Sequence, residues 1–566
     1  MSHKRPFVEI ASRCLVAVLL SATVAGCPSP DEDSDVGTDT DFPADGPLEV
    51  LVDGAFFVGG ANGMFFDADD QLYVAHFGGQ SLSVVDPDSG DVVQTLGVES
   101  GVVFPDDVTV APDGTVYWTD FALGQVNGLT ADGTFVAVAD GISSVNPITV
   151  SDDGRLFVAQ CFDAESNGIF ELDPEGIEPP RTIVDGVQGC ASNGLDWLDG
   201  ELFAPQWFGG AVLRIDVETG GSEVVTSDWP IPSAVKFDSL GRLHAVSYGS
   251  GEVVRIDLDT GDRTVLTQLP PGLDNLAFDS DDRLFVSSAT DSFVVEILDD
   301  GSTRTVIAGG MGMPMGLAIL GDELWVGEGL ALRSFDAGDG SEVQTIRNII
   351  GVGPFHGSPG NVTALDDERL VLLDPFTGSA AIFDATTGDV LPVDPFIVPS
   401  DAELFGDGVA ICDFATGSIV LATGPTLADR STLVEGLAAP TGLAADGDDL
   451  YVSSVVTGTV LKVVSNGEVL ATPEPATATV LAGPEGMTVR SGGRLVVVEG
   501  ATGALQQIDL ATGDVTIVAS GMSFLPALPG LLPFQFLNDV VVDEFDVLHI
   551  NGDGASVIYT VGPSEM

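Results

Sequence analysis

Two tandem six-bladed β-propellers, an all-β architecture, are what this 566-residue sequence predicts. Three observations carry the prediction. From residue 48 onward the chain repeats a unit of about 43 residues, the length of one four-stranded blade. Each copy runs from a polar residue through a short apolar strand and an Asp-rich turn to L-[YFW]-V and then V-x-x-[IF]-D, the rhythm of antiparallel strands joined by tight turns. The composition agrees, with abundant Val and 70 glycines.

The elements follow in chain order. Lys4, Arg5 and Arg13 flank the start of an apolar stretch, CLVAVLLSATVAG, that ends at Cys27. A charged start and a short apolar run read as an export signal over 1–26, not as a membrane span. No later apolar run reaches the roughly 18 residues a transmembrane helix needs. Val24, Ala25 and Gly26 before Cys27 resemble the bacterial lipobox, which implies a lipid on Cys27. Pro28 follows where an inner-membrane retention signal would carry Asp, so the expected address is the outer membrane, with the lipid as the only membrane contact. Residues 27–47 are rich in acids and prolines with almost nothing to bury, and are expected to form a disordered tether.

Innermost strands are expected to start near residues 62, 106, 146, 193, 233, 274, 315, 361, 401, 441, 485 and 538. Twelve copies exceed the four to eight blades usual for one ring. The expected division is therefore one propeller over 48–300 and a second over 301–566. LEVLVDG (48–54) reads as a fourth strand lacking a blade of its own, TRTVIAGG (303–310) reads the same way, and the last copy stops after its third strand, SVIYTV. Each ring is thus expected to open with a fourth strand and to close its own last blade with it, leaving no bare edge.

The repeats resemble those of the senescence-marker-protein/gluconolactonase and NHL families. VYWTDF (116–121) is similar to the YWTD blades of lipoprotein receptors, and the stretch around it to blades of streptogramin lyases. The resemblance implies the propeller fold over most of 48–562 and leaves activity open, since such scaffolds host enzymes, receptors and scaffolding proteins alike.

Charge narrows the partners. Against 86 acidic residues stand 19 Lys plus Arg, a formal net charge of -67. Such a surface repels phosphate backbones and anionic lipid, which excludes nucleic acid, and it attracts cations.

The residues expected to open the innermost strands of the first ring are Asn62, Asp106, Asn146, Asn193, Ser233 and Asp274, all polar. Six such side chains around a narrow channel would aim oxygens at one point, the demand of a hard cation such as Ca2+. Turn chemistry also accounts for Asn, Asp and Ser at strand entries. At the ends of the second strands, on the same face, stand His76, Asp120, Gln160, Gln206, Ser247 and Ser288, a candidate binding face.

The lactonase resemblance implies a metal held by one glutamate, two asparagines and one aspartate, the aspartate serving as base. Asn193 in NGLDW and Asn146 match the two asparagines, whereas Asn62 stands in the glutamate's place and Ser233 in the aspartate's. Without those carboxylates a base is wanting, and Asp106 or Asp274 is the candidate substitute.

The second ring offers Met315, Asn361, Asp401, Thr441, Glu485 and Asn538, and at its second-strand ends Glu328, Asp374, Asp413, Ser454 and Glu499. Met315 breaks that polar set. His244 and His549 occupy apolar strand positions and read as core residues, while His76 and His356 are placed for chemistry. Cys161 and Cys190 fall on one face of adjacent blades and are expected to form a disulfide in an exported chain. Cys412 reads as a buried thiol. The apolar loop GMSFLPALPGLLPFQF (521–536) reads equally as a lid, a partner patch, a lipid contact or a plug for the second channel.

The expected function is a binding module for a small molecule, glycan or protein at the polar face of the first ring, with Ca2+ in its channel. A metal-dependent lactonase is the alternative reading, and an eliminase using His76 the third.

Overall fold

The computed structural model describes residues 45–161, 167–186, 193–347, 357–525 and 538–563. The export signal with Cys27, the tether up to residue 44, Cys190, His356 and residues 526–536 of the apolar loop lie outside the described residues.

The described residues form twelve antiparallel four-stranded sheets, each a blade. In chain order blades 1 to 6 cover 64–96, 105–139, 145–184, 196–226, 232–268 and 273–307. Blades 7 to 11 cover 314–347, 361–393, 399–435, 440–475 and 484–520, and blade 12 combines 540–561 with the N-terminal strand Glu49–Asp53. The innermost strand of each blade packs on that of the next. Met64–Phe66 meets Leu273–Phe278, closing blades 1 to 6 into one ring, and Pro314–Leu320 meets Val540–Val542, closing blades 7 to 12 into another.

Burial explains the sequence pattern. Second strands such as VYWTD, LFVAQ and LFVSS are buried along their whole length, because a neighbouring blade covers each face. Fourth strands such as VVQTL lie at the rim and are largely exposed. The core is a set of wedges between blades; Tyr117 and Val126 of blade 2, for example, pack on Ile148, Leu156 and Val158 of blade 3. The D-x-x-x-G turns joining third to fourth strands repeat one device. In the first of them Asp86 Oδ1 accepts the N–H groups of Asp88 and Ser89, and Gly90 supplies the φ of 77° that a side chain would resist.

Both ring closures differ from the expected ones. Glu49–Asp53 pairs with Val557–Val561, so the N-terminal strand completes the last blade of the second ring, not the first. Thr303–Ile307 pairs with Val294–Ile297 and is the fourth strand of blade 6, in the first ring. The physical reason is local: the turn at 299–301 folds Thr303–Ile307 straight back as a hairpin on Val294–Ile297, and the edge of Val557–Val561 is taken by Glu49–Asp53.

Two segments therefore cross between the rings. They run side by side, with Ala55 N–H donating to Met311 O at 2.7 Å and Gly59 N–H to Gly312 O at 3.1 Å. Residues 45–47, expected to belong to the tether, are part of the fold: Asp45 pairs with the buried Arg490 at 2.7 Å and bridges Pro563. No helix among the described residues is long and apolar enough to cross a membrane.

Candidate functional site in the first channel

A bulge recurs where the innermost strands begin, as between Pro105 and Val108, Val145 and Ile148, and Leu273 and Leu276. A bulge re-aims the side chain it carries, and here it turns the next residue of each blade toward the axis. In the first ring these residues are the expected ones. Asn146 Nδ2 donates to Asn193 Oδ1 at 2.9 Å, and Asn193 Nδ2 to Asp274 Oδ1 at 2.7 Å, a chain that spans blades 3, 4 and 6. Asp106 lies beside it, near enough for the Asn146 amide to favour its charged form. Ser233 is turned aside, its hydroxyl donating to Leu273 O at 2.8 Å, so it cannot act as the base that the lactonase resemblance would put there.

Three side-chain oxygens at this mouth are buried without a partner: Asn62 Oδ1, Asp106 Oδ2 and Asn146 Oδ1. Their residues are 8%, 7% and 3% exposed, so water does not serve them freely. Buried acceptors are seldom left unpaired in a folded protein. The carboxyls add to the imbalance. Burial first, then the charge of Asp107, pushes Asp106 up to about 8. Burial and the charge of Asp106 raise Asp274 well above the ordinary carboxylate range.

One layer deeper, Asp107 Oδ1 accepts from Asn275 Nδ2 at 3.2 Å across the channel, and Asp107 Oδ2 from Ile148 N–H at 3.0 Å. Burial holds Asp107 at about 7, although Lys236 opposes the rise. This second layer escapes a reading of single strand-entry residues, but the doublets Asp106–Asp107 and Asp274–Asn275 are its signal. Trp207, Tyr248, Cys161 and Ile231 cluster above blades 3 to 5, with the Trp207 and Tyr248 rings 4.8 Å apart. Burial first, and in smaller part the charges of Asp274 and Asp291, raise the Tyr248 hydroxyl. The signal of this cluster is the residue after each second strand, aromatic at Phe77, Phe121, Trp207 and Tyr248.

The second-strand ends do other work. Asp120 accepts the Phe104 N–H at 3.2 Å, Gln160 donates to Ser143 O at 2.9 Å, and Ser288 donates to Gly272 O at 3.1 Å. Glu328, Asp374, Asp413, Ser454 and Glu499 hold the corresponding backbone in the second ring. These side chains clamp the loop that leads into their own blade. Gln206 is half-buried at the same position. His76 is the exception: it lies buried against Phe57, ring centroids 3.8 Å apart, and burial drops its pKa to about 3. His244 and His549 are buried in their strands, and Cys412 is a buried free thiol.

In the second ring two positions shift by one residue. Pro399 faces Asp413 as Pro105 faces Asp120, which puts Ser400, not Asp401, beside the axis at the mouth. Gly316 N–H donates to Gly360 O as Gly63 N–H donates to Asp106 O, which makes Gly360 rather than Asn361 the counterpart of Asp106. Asn361 and Asp401 belong to the deeper layer, where Asn361 Nδ2 donates to Asp401 Oδ1 at 3.0 Å.

The raised carboxyls set a pH dependence. An acid whose folded pKa lies above its unfolded value of 3.8 adds stability below that value and loses it as pH rises through the folded pKa. With Asp106 at about 8 and Asp107 at about 7, the thermal midpoint of the first propeller in EDTA should fall from about pH 4 to pH 8 and level off above. A midpoint that rises over that interval would contradict the burial described.

No family model matches the chain. A gluconolactonase of Zymomonas mobilis subsp. mobilis is 27% identical over 169 residues, a stretch covering 26% of this chain and 48% of that protein. The likeness thus spans about half the relative's length. Among solved structures, a streptogramin B lyase covers 49% of this chain and 93% of its own at 16% identity and a TM-score of 0.36. The virginiamycin B lyase of Staphylococcus aureus gives 15% identity and the same TM-score over 49% of this chain and 94% of its own. The extracellular domain of BT4673 from B. thetaiotaomicron covers 92% of this chain and 84% of its own at 12% identity and a TM-score of 0.30. The chain is a propeller protein with a gluconolactonase-like stretch of sequence.

Proposed function

We propose that the first propeller is an extracytoplasmic binding module whose channel mouth takes a Ca2+ ion and, above it, a small molecule, glycan or protein. The observation that carries the reading is the set of three unpartnered buried oxygens, Asn62 Oδ1, Asp106 Oδ2 and Asn146 Oδ1. Together with the Asp274 carboxylate they form an all-oxygen donor set of the kind a hard cation takes. The residues fit such an ion, which would supply positive charge to two carboxylates that burial otherwise keeps from ionising together. Among the described residues no three of His, Cys, Asp or Glu gather as a cage, so the amide oxygens are needed for the site.

Ca2+ titration of the full chain in high salt, beside Asp106→Asn, tests the reading. One saturable site lost in the variant supports it; identical isotherms would sink it. In this reading Cys27 carries a lipid that anchors the chain, and a Cys161–Cys190 disulfide pins the loop beside Asn193. Cys161 is buried beside Trp207, Ile231 and Tyr248 and is not among the free thiols.

A second reading is favoured by one observation. Asp106, raised to about 8, is poised as a general base near neutral pH, and the likeness to a gluconolactonase supplies a substrate class. Asp106 would take a proton from the water that attacks a lactone carbonyl, with Asn146 fixing the carboxylate. Hydrolysis of sugar lactones that Asp106→Asn abolishes would establish it. His76, buried under Phe57, gives the eliminase reading no support.

A further inference from the structure

The two channels differ at one level, four residues into each innermost strand counted from the mouth. In the first ring this level is filled and neutralised. Lys236 Nζ lies 3.6 Å from Asp196 Oδ1 and 5.3 Å from the centroid of the Phe65 ring across the channel. Thr149 Oγ1 donates to Asp196 Oδ1 at 3.3 Å, and Thr109 and Ala277 fill the other two places of the layer. By the same register the second ring carries Ala318, Thr363, Glu403, Ala444, Thr488 and Val541. Small side chains replace Phe65 and Lys236, and the one ionisable group is the Glu403 carboxylate, supported by the Ala445 backbone but by no Lys or Arg among the described residues.

That carboxylate has acidic company. Glu403 feels the charges of Asp401 and Asp539 from the layer above, and among the described residues no Lys or Arg counters any of the three. Asp107 at the equivalent depth of the first ring has Lys236. Asp401 and Asp539 are fixed by backbone N–H groups, from Ala402 and Leu443 in one case and Val540 and Leu317 in the other. They cannot swing away to relieve the repulsion. A separate observation points to a ligand: Asn361, 5% exposed, donates to Asp401 while its Oδ1 is left without a partner.

We propose that the waist of the second channel is a cation site, in which Glu403 binds a hydrated Ca2+ or Mg2+ ion and Asn361, Asp401 and Asp539 hold its water shell. No three carboxylates close on one point among the described residues, so the ion keeps part of its hydration, as such ions commonly do. The site is independent of the one at the first mouth. It does in the second ring what Lys236 does in the first, setting positive charge among buried acids.

Ca2+ titration of the full chain in about 1 M KCl, where loose surface attraction is screened, tests the proposal with Glu403→Gln and Glu403→Lys. Both variants are expected to lose one equivalent of bound Ca2+ and to melt higher than the natural chain in EDTA, the repulsion being gone. Asp106→Asn should leave this equivalent untouched, which separates the two sites. Unchanged stoichiometry in both Glu403 variants, or a midpoint in EDTA that they lower, would overturn the proposal.

Discussion

A chain lacking residues 45–53 should lose its second propeller and keep its first. The strand Glu49–Asp53 is the only partner of Val557–Val561 on that side, so its removal bares an edge of blade 12. It also uncovers the wedge in which Val52 packs with Met311, Leu317, Phe335 and Ile558 between blades 12 and 7. The clamp of Asp45 on Arg490 goes with it. Stripping buried aliphatic side chains costs about 2–5 kcal/mol each, and at roughly 2–4 °C per kcal/mol for a unit of this size the second transition should fall by about 10 °C or more. The rings can be told apart by fluorescence, because Trp118, Trp197, Trp207 and Trp229 all lie in the first and Trp325 alone in the second. The truncated chain should therefore retain most native tryptophan emission after half its strand signal has melted. If the emission is lost first, the strand stabilises the first ring instead and the topology is wrong. One practical consequence is that a fragment cut at 48–300 carries a strand of the wrong propeller and lacks its own last one.

The same strand shows what was legible. Twelve blades could be counted because each copy repeats an apolar innermost strand and an Asp-rich turn, and burial from both sides enforces that pattern in every blade. Strand closure is different: LEVLVDG has the composition of any rim strand and would suit either ring. The short connection at 299–301 held the answer, since it leaves room only for a hairpin onto Val294–Ile297. The mouth residues of the first ring could be read off because a polar residue precedes each apolar run. In blades 8 and 9 the same rule lands one residue late, on Asn361 and Asp401, because Gly360 and Ser400 hide behind Pro359 and Pro399. The second-strand ends also look functional by polarity alone. Their role as loop clamps emerges only from the recurring distance of about sixteen residues to the backbone they hold, as from Phe104 to Asp120 and Ser358 to Asp374. Glu403 was invisible for another reason: a lone acid in a strand gains meaning only when the opposite wall is known to lack a lysine.

Arg333→Ala should be the most damaging single substitution at the junction of the rings. Its guanidinium, 3% exposed, meets Glu328 Oε1 at 2.5 Å within the second ring and Asp291 Oδ1 at 2.8 Å from the first. It also donates to Gly310 O on one of the two crossing segments. Glu328 in turn accepts the Gly312 N–H at 2.6 Å, so one arginine ties the crossing segment 308–313 to both rings. Arg347 is a second partner for Asp291, at 2.8 Å, but is more exposed and does not reach Glu328. Removing Arg333 strands Glu328, whose carboxyl burial already raises, beside Asp291 with its charge only half answered. Breaking a buried pair from one side costs about 3–5 kcal/mol, most of it the uncompensated charge left behind. The expected result is a lower midpoint at pH 8 that recovers toward pH 5, as Glu328 takes up a proton, together with faster proteolysis at 308–313. Arg333→Ala combined with Glu328→Gln should regain part of the loss, since no bare carboxylate then remains on the second ring's side. A cost below about 1 kcal/mol, the range of an exposed pair, would mean that the rings are held by the crossing backbone alone.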